Sequence, residues 1–236
     1  MTDGNERLQI VLWKWRNPRK LHILFDYSAD AVNRKRQELQ KFLRIPHDVV
    51  CITDDPHGID SAIRVLPLWP DAVELGGCWR RLRAFAPDMH DLIGPRFAWI
   101  DLDSLVVGTM DSVLSRPEAA VFYRSDSVQG TPYNGSMVLM DAGARAEVWA
   151  RFDPERSPVL TREAGLEGTD QAWMAYVMGA GEAVWTAEDG VMHFVRDCVP
   201  DLPAAARIVF FPGVQKAHMP NARRHAPWLN AYPTEP

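Results

Sequence analysis

The sequence predicts an α/β fold, a mostly parallel sheet flanked by helices. Three observations predict it. Short apolar runs at 8–15, 48–53 and 97–100 lack polar alternation, as strands buried on both faces do. Amphipathic stretches at helical spacing fall between them, so strands and helices alternate. The 236 residues are 47% hydrophobic and 24% charged, ordinary globular usage that supports one buried core.

The first run, 8–15, ends at the Asn17-Pro18 turn. Residues 28–43 follow as a helix, with Ala29, Val32, Leu39, Phe42 and Leu43 near helical spacing and Ser28 as its cap. The run 48–53 stops at Thr53-Asp54-Asp55-Pro56, and 63–66 is a further short strand. A helix is expected over 76–85, where Trp79, Leu82 and Phe85 share a face. The fully apolar run 97–100 then breaks into Asp101-Leu102-Asp103. Later strands are expected at 119–123, 137–140 and 208–211, with helices at 142–152 and 169–178. The proline-rich stretch 212–236 is expected to wrap the surface. No repeat or low-complexity linker divides residues 1–236, so a single domain is expected.

A formal charge of -5 and a pI of 5.8 exclude the broad basic surface that nucleic acid requires. Local basic clusters occur at Arg34-Lys35-Arg36, at Arg80, Arg81 and Arg83, and at Arg223-Arg224. Cys51, Cys78 and Cys198 are too few and scattered for a disulfide framework or a zinc site and read as reduced core thiols. The polar amino terminus and the absence of a long apolar run predict a cytoplasmic protein with no transmembrane segment.

In parallel, helix-covered sheets, ligands gather beyond the carboxyl ends of the strands. Asp101 and Asp103 stand at such an end, and in an extended segment their side chains share a face. Two hard oxygen donors there suit Mn²⁺ or Mg²⁺ bound partly through substrate phosphates. Lys14 and Asp54 stand at or just past the first two strands, on the same edge, and Trp15, beside the turn, is the best stacking candidate.

Five segments in order carry a family resemblance: Val11-Leu12-Trp13-Lys14-Trp15, Val50 to Asp55, Gly76 to Leu82 with Arg81, Tyr133-Asn134-Gly135-Ser136-Met137, and Gly168-Thr169-Asp170-Gln171-Ala172-Trp173. With the Asp-Leu-Asp motif they make the chain resemble the GT-A glycosyltransferases, within them the bacterial relatives of the glycogenin-like transferases. The resemblance implies a Rossmann-like GT-A domain, with a nucleotide-binding half to about residue 105 and a sugar and acceptor half over 106–236. It implies a metal-dependent transferase moving a sugar from a nucleotide-sugar donor, taken as a UDP-sugar, to a glycan or other acceptor. Asp101 and Asp103 would hold the metal. Lys14, Trp15, Asp54, Arg81, Leu102, Asn134, Gly135 and Lys216 would contact the donor. Asp170 and Gln171 would act at the sugar.

One departure stands out. The family adds a metal-binding histidine from a late strand, where Ile208-Val209-Phe210-Phe211-Pro212-Gly213-Val214-Gln215-Lys216 keeps the glycine and lysine but has Phe210. His218, in the following loop, is the available substitute imidazole. That gap keeps a catalytically silent nucleotide-binding protein as an alternative. Asp101-Leu102-Asp103-Ser104-Leu105 is also similar to the nucleophile motif of haloacid-dehalogenase-like phosphatases, which carry it on their first strand.

Overall fold

Strand β1 (Leu8–Lys14) shows why the sheet is buried on both sides: Ile10 and Leu12 enter one core, Val11 and Trp13 another. The structure, a computed structural model, describes residues 7–16, 26–124, 130–213 and 215–232. The polar amino terminus to residue 6, the Asn17-Pro18 turn and Val214 lie outside them. The other strands are β2 (His47–Thr53), β3 (Arg64–Pro67), β4 (Arg96–Ile100), β5 (Leu105–Val106), β6 (Ala120–Arg124), β7 (Tyr133–Asp141), β8 (Ala183–Trp185), β9 (Val191–His193) and β10 (Ile208–Phe210). Seven of them form one sheet in the order β3-β2-β1-β4-β7-β6-β8. Its pairings are parallel except those of β7 with β4 and β6, so the mostly parallel sheet predicted from sequence is present.

The helix Ala29–Phe42 lies on the first face, placing Val32 and Leu39 in that core, and the Ser28 hydroxyl caps it by accepting from the Ala31 N–H at 3.3 Å. The second face is covered by Leu82, Phe85, Trp173 and Met174, from the segment Gly77–Phe85 and the helix Asp170–Met178. Gly77–Phe85 is a 3-10 helix rather than the expected α-helix. The Trp79, Leu82, Phe85 spacing of three residues is itself the 3-10 repeat. The same repeat aligns Cys78, Arg81 and Ala84 on another face.

Four expectations change in detail. The helix expected over 142–152 is confined to Glu147–Ala150, because Gly143 at φ +79° begins a turn that delays it. Strand β7 starts four residues earlier than its apolar run, at Tyr133, and pairs with β6 across a bulge between Phe122 and Tyr123. Strand β10 belongs to a second sheet, ordered β5-β10-β9, with its own core of Leu105, Met192, Phe194, Val209 and Phe211. The proline-rich stretch contributes short helices Pro220–His225 and Pro227–Ala231, which bury Ala222, Ala226 and Leu229 in this third core rather than merely crossing the surface.

Since β1, β2, β4 and β6 run parallel and β7 runs against them, four carboxyl ends and the start of β7 share one edge. Lys14, Asp54, Asp101 and Asn134 are thereby gathered from distant parts of the chain. Among the described residues no helix is long and apolar enough to cross a membrane.

Candidate active site

β4 ends at Ile100 because the chain turns at Asp101. The Ser104 N–H donates to the Asp101 carbonyl at 3.2 Å and the Ser104 hydroxyl donates to it at 2.7 Å. This turn alters the expected geometry, since 101–104 is not extended and the two carboxylates reach different neighbours. Leu102, between them, is buried in the first core rather than turned out to a ligand.

Asp101 meets Arg81. The Arg81 guanidinium, only 4% exposed, donates to Asp101 at 2.6 Å, to the Gly135 carbonyl at 2.7 Å and to Asp170 at 3.0 Å. Three segments far apart in sequence are thus tied by one cation with directional donors. Asp170 is free for this because Thr169 caps its helix, accepting from the Ala172 N–H at 3.2 Å. Gly135 is closely packed: a Cβ there would lie 3.1 Å from both Arg81 Nη2 and Asp170 Oδ2, so both would have to give by a few tenths of an ångström. Asn134, half-buried, accepts from the Ser136 N–H at 2.9 Å, and Gln171 is half-buried on the first turn beside Asp170. Burial pushes the Asp101 carboxyl up to about 6; Arg81 opposes that rise and the Asp103 charge adds to it.

Asp103 meets Lys216. The Lys216 ammonium donates to Asp103 at 2.5 Å and to the Phe211 carbonyl at 2.7 Å, and Tyr27 lines the same cavity as Asp103. Burial, then the charges of Asp103 and Asp101, holds that phenol well above its usual range. Tyr27, Arg34, Lys35, Asp103, Lys216 and His218 line one cavity beside the turn. Burial, with Lys216 and Arg223, lowers the His218 pKa, so its imidazole is neutral near pH 7. Phe210 is buried, stacked on Tyr123 at 4.8 Å between centroids.

The nucleoside end of the edge is more heavily paired than the sequence suggested. Lys14 is buried and donates to the Asp55 carbonyl at 2.7 Å, with the Asp55 carboxylate at 3.6 Å. Asp54 is exposed and accepts from the Arg16 N–H at 3.2 Å. The Arg80 guanidinium lies over the Trp15 ring at 5.6 Å.

Sequence reasoning missed Tyr27, Lys35, Asp55 and Ser136. Lys35 is 1% exposed and donates to the Ser104 carbonyl at 2.5 Å and to Glu38 at 2.7 Å, anchoring the turn that carries the carboxylates. Its signal was available, because Lys35 fills the gap in the buried stripe between Val32 and Leu39. The Ser136 carbonyl accepts from the Asp101 N–H at 2.9 Å, but nothing in the local sequence marks Ser136 or Tyr27.

Among the described residues no group of three or more His, Cys, Asp or Glu side chains is placed to hold a metal unaided. The donor set nonetheless fits a divalent cation shared with a substrate. Among the described residues, Asp101, Asp103 and Asp170 form ion pairs with Arg81 and Lys216 alone, leaving one negative charge where an anionic ligand would enter. A hard dication on two carboxylates reverses that sign, and phosphate oxygens complete its shell.

No protein-family model matches the chain, and no curated protein matches it in sequence. Solved structures do match. The galactosyltransferase LgtC, in complex with donor and acceptor sugar analogues, superposes with a TM-score of 0.58 at 12% identity over 97% of this chain and 98% of LgtC. An active-site variant of LgtC gives a TM-score of 0.60 at 10% identity over the same shares. The glycosyltransferase GlyE of Streptococcus pneumoniae TIGR4 gives 0.58 at 12% identity; 91% of this chain aligns, spanning 57% of GlyE. The fold is therefore that of the GT-A glycosyltransferases, as the sequence resemblance implied. At these identities the likeness is one of fold, and function rests on the site.

Proposed function

We propose that this chain transfers a sugar from a nucleoside-diphosphate-sugar donor, taken as a UDP-sugar, to an acceptor at the edge where Asp101, Asp103 and Asp170 converge. The observation that carries this reading is Arg81, which holds Asp101, the start of β7 and Asp170 in one buried hydrogen-bonded unit. Such a rigid unit with charged groups around a strand-end opening suits a reaction in which charge separates. As the bond between sugar and diphosphate breaks, negative charge grows on the leaving oxygens and positive charge on the sugar carbon.

Lys216 answers the first charge. Asp170, its carboxylate fixed by Arg81, answers the second, while Gln171 and Asn134 hydrogen-bond sugar hydroxyls. Lys14, Trp15 and Asp54 bound the nucleoside. Asp101 and Asp103 hold Mn²⁺ or Mg²⁺, which when bound supplies further positive charge at the diphosphate. His218, neutral and beside Lys216, stands in the loop from which a third ligand would come.

The phosphatase reading loses ground because Asp101 follows β4, interior to the sheet beside β1, with three strands before it in the chain. The silent-protein reading is favoured by one observation, the buried phenyl of Phe210 where the family has histidine. Both are separable by one experiment, thermal unfolding against a panel of nucleoside diphosphates with and without Mn²⁺, followed by assay of sugar release. UDP with Mn²⁺ should raise Tm by several degrees, and Asp103→Ala should abolish the rise while leaving the unliganded Tm within a few degrees. No shift with any diphosphate would overturn the transferase reading, and a shift without sugar release from any donor would leave a binding protein.

A further inference from the structure

Asp101 and Asp103 each hold a cation, but only one of those cations has somewhere to go. Arg81 is bound on three sides, to Asp101, Gly135 and Asp170, so removing it from Asp101 would strand two other partners. Lys216 has two hydrogen-bond partners among the described residues, Asp103 and the Phe211 carbonyl of its own loop, and it borders the cavity shared with Arg34, Lys35 and His218. An ammonium on a four-carbon stem is easily redirected, whereas a guanidinium fork with three fixed partners is not.

We propose that Lys216 is an internal counter-ion occupying Asp103 in the free protein, which a divalent cation displaces only when a diphosphate arrives to receive the lysine. The inference rests on the transferase reading for the identity of the diphosphate, but the competition at Asp103 is a property of this chain alone. Without nucleotide, a dication approaching Asp103 meets an ammonium already hydrogen-bonded there, 8% exposed and poorly screened. Breaking such a charged hydrogen bond weakens metal binding by about tenfold to hundredfold. With a diphosphate present, Lys216 moves from one anion to another and the penalty vanishes. Metal and nucleotide then raise each other's affinity by the same factor, as linkage requires.

The test is Mn²⁺ affinity, read by the electron paramagnetic resonance of free Mn²⁺, for wild type, Lys216→Met and Lys216→Arg, each without nucleotide and with UDP. Without nucleotide, Lys216→Met should bind Mn²⁺ at least tenfold more tightly than wild type, and Lys216→Arg, which keeps the charge, should stay as weak as wild type. UDP should strengthen Mn²⁺ binding at least tenfold in wild type and little in Lys216→Met. Equal Mn²⁺ affinity of wild type and Lys216→Met without nucleotide would overturn the inference, provided circular dichroism shows both folded; if the Met variant does not fold, Lys216→Gln carries the same comparison. Failure of UDP to bind any of the proteins would instead overturn the transferase reading, while the nucleotide-free comparison still decides the competition at Asp103.

Discussion

Asp101 and Asp103 stand two residues apart, yet their counter-ions come from opposite directions along the chain and behave as different devices. Arg81 lies 20 residues before Asp101, in the 3-10 helix packed on the large sheet, and it is locked by Asp170 and Gly135. Lys216 lies 113 residues after Asp103, beyond the last strand of the small sheet, and borders a cavity. The large-sheet side supplies fixed geometry; the small-sheet side supplies an exchangeable charge. A site built this way separates the task of holding shape from the task of receiving a ligand.

The largest effect that would sharpen this contrast is on stability. Arg81→Met leaves Asp101 and the buried Asp170 uncompensated and should cost about 3–5 kcal/mol, whereas Lys216→Met, which strands only Asp103, more exposed than Asp170, should cost about 1–2 kcal/mol. Urea unfolding of both variants measures the difference, and equal losses would break the comparison. Next comes Gly135→Ala, whose Cβ would press on Arg81 Nη2 and Asp170 Oδ2 at 3.1 Å; it should cost about 1–3 kcal/mol, visible in the same unfolding curves. The smallest effect is a reactivity readout with no stability change. Burial, against the pull of Arg81 and aided by the nearby carboxylates, pushes the Cys78 thiol up to about 12, so at pH 8 it remains neutral. Alkylation of Cys78 in the native protein should run at least a hundredfold slower than in the urea-unfolded chain, because the thiolate is the reactive form. Rapid native labelling would mean that the fixed side opens.

Much of the large sheet was legible because β1, β2, β4 and the centre of β7 are apolar runs that leave few alternatives. The beginning of β7 was not, since Tyr133-Asn134-Gly135-Ser136 has weak strand preference and is held in the sheet by pairing with β6 and by the Asp101 N–H donating to the Ser136 carbonyl at 2.9 Å. The second sheet escaped notice because strands of two or three residues carry no period and exist only through partners distant in sequence. In the site, Asp101 and Asp103 were singled out by residue type and position, and Asp170 and Lys216 by the family resemblance. Their pairing was hidden, because whether Arg81 is a surface charge or a buried hub depends on what packs over its 3-10 turn. The expectation that Asp101 and Asp103 share a face assumed extended backbone, and the Ser104 hydrogen bonds decide otherwise.

The antiparallel ladder between β5 and β10 has one more consequence. It pairs Val106 with Ile208 and Leu105 with Val209, so the strand just after Asp103 and the strand just before Lys216 are hydrogen-bonded neighbours. The spacing of anion and ammonium is therefore set by a rung of backbone, not by the reach of two loops. A chain truncated before Ile208 would lose more than its lysine: the Leu105–Val106 edge would be left bare and the third core opened to water. Such a fragment should be caught by self-association before its chemistry could be asked about.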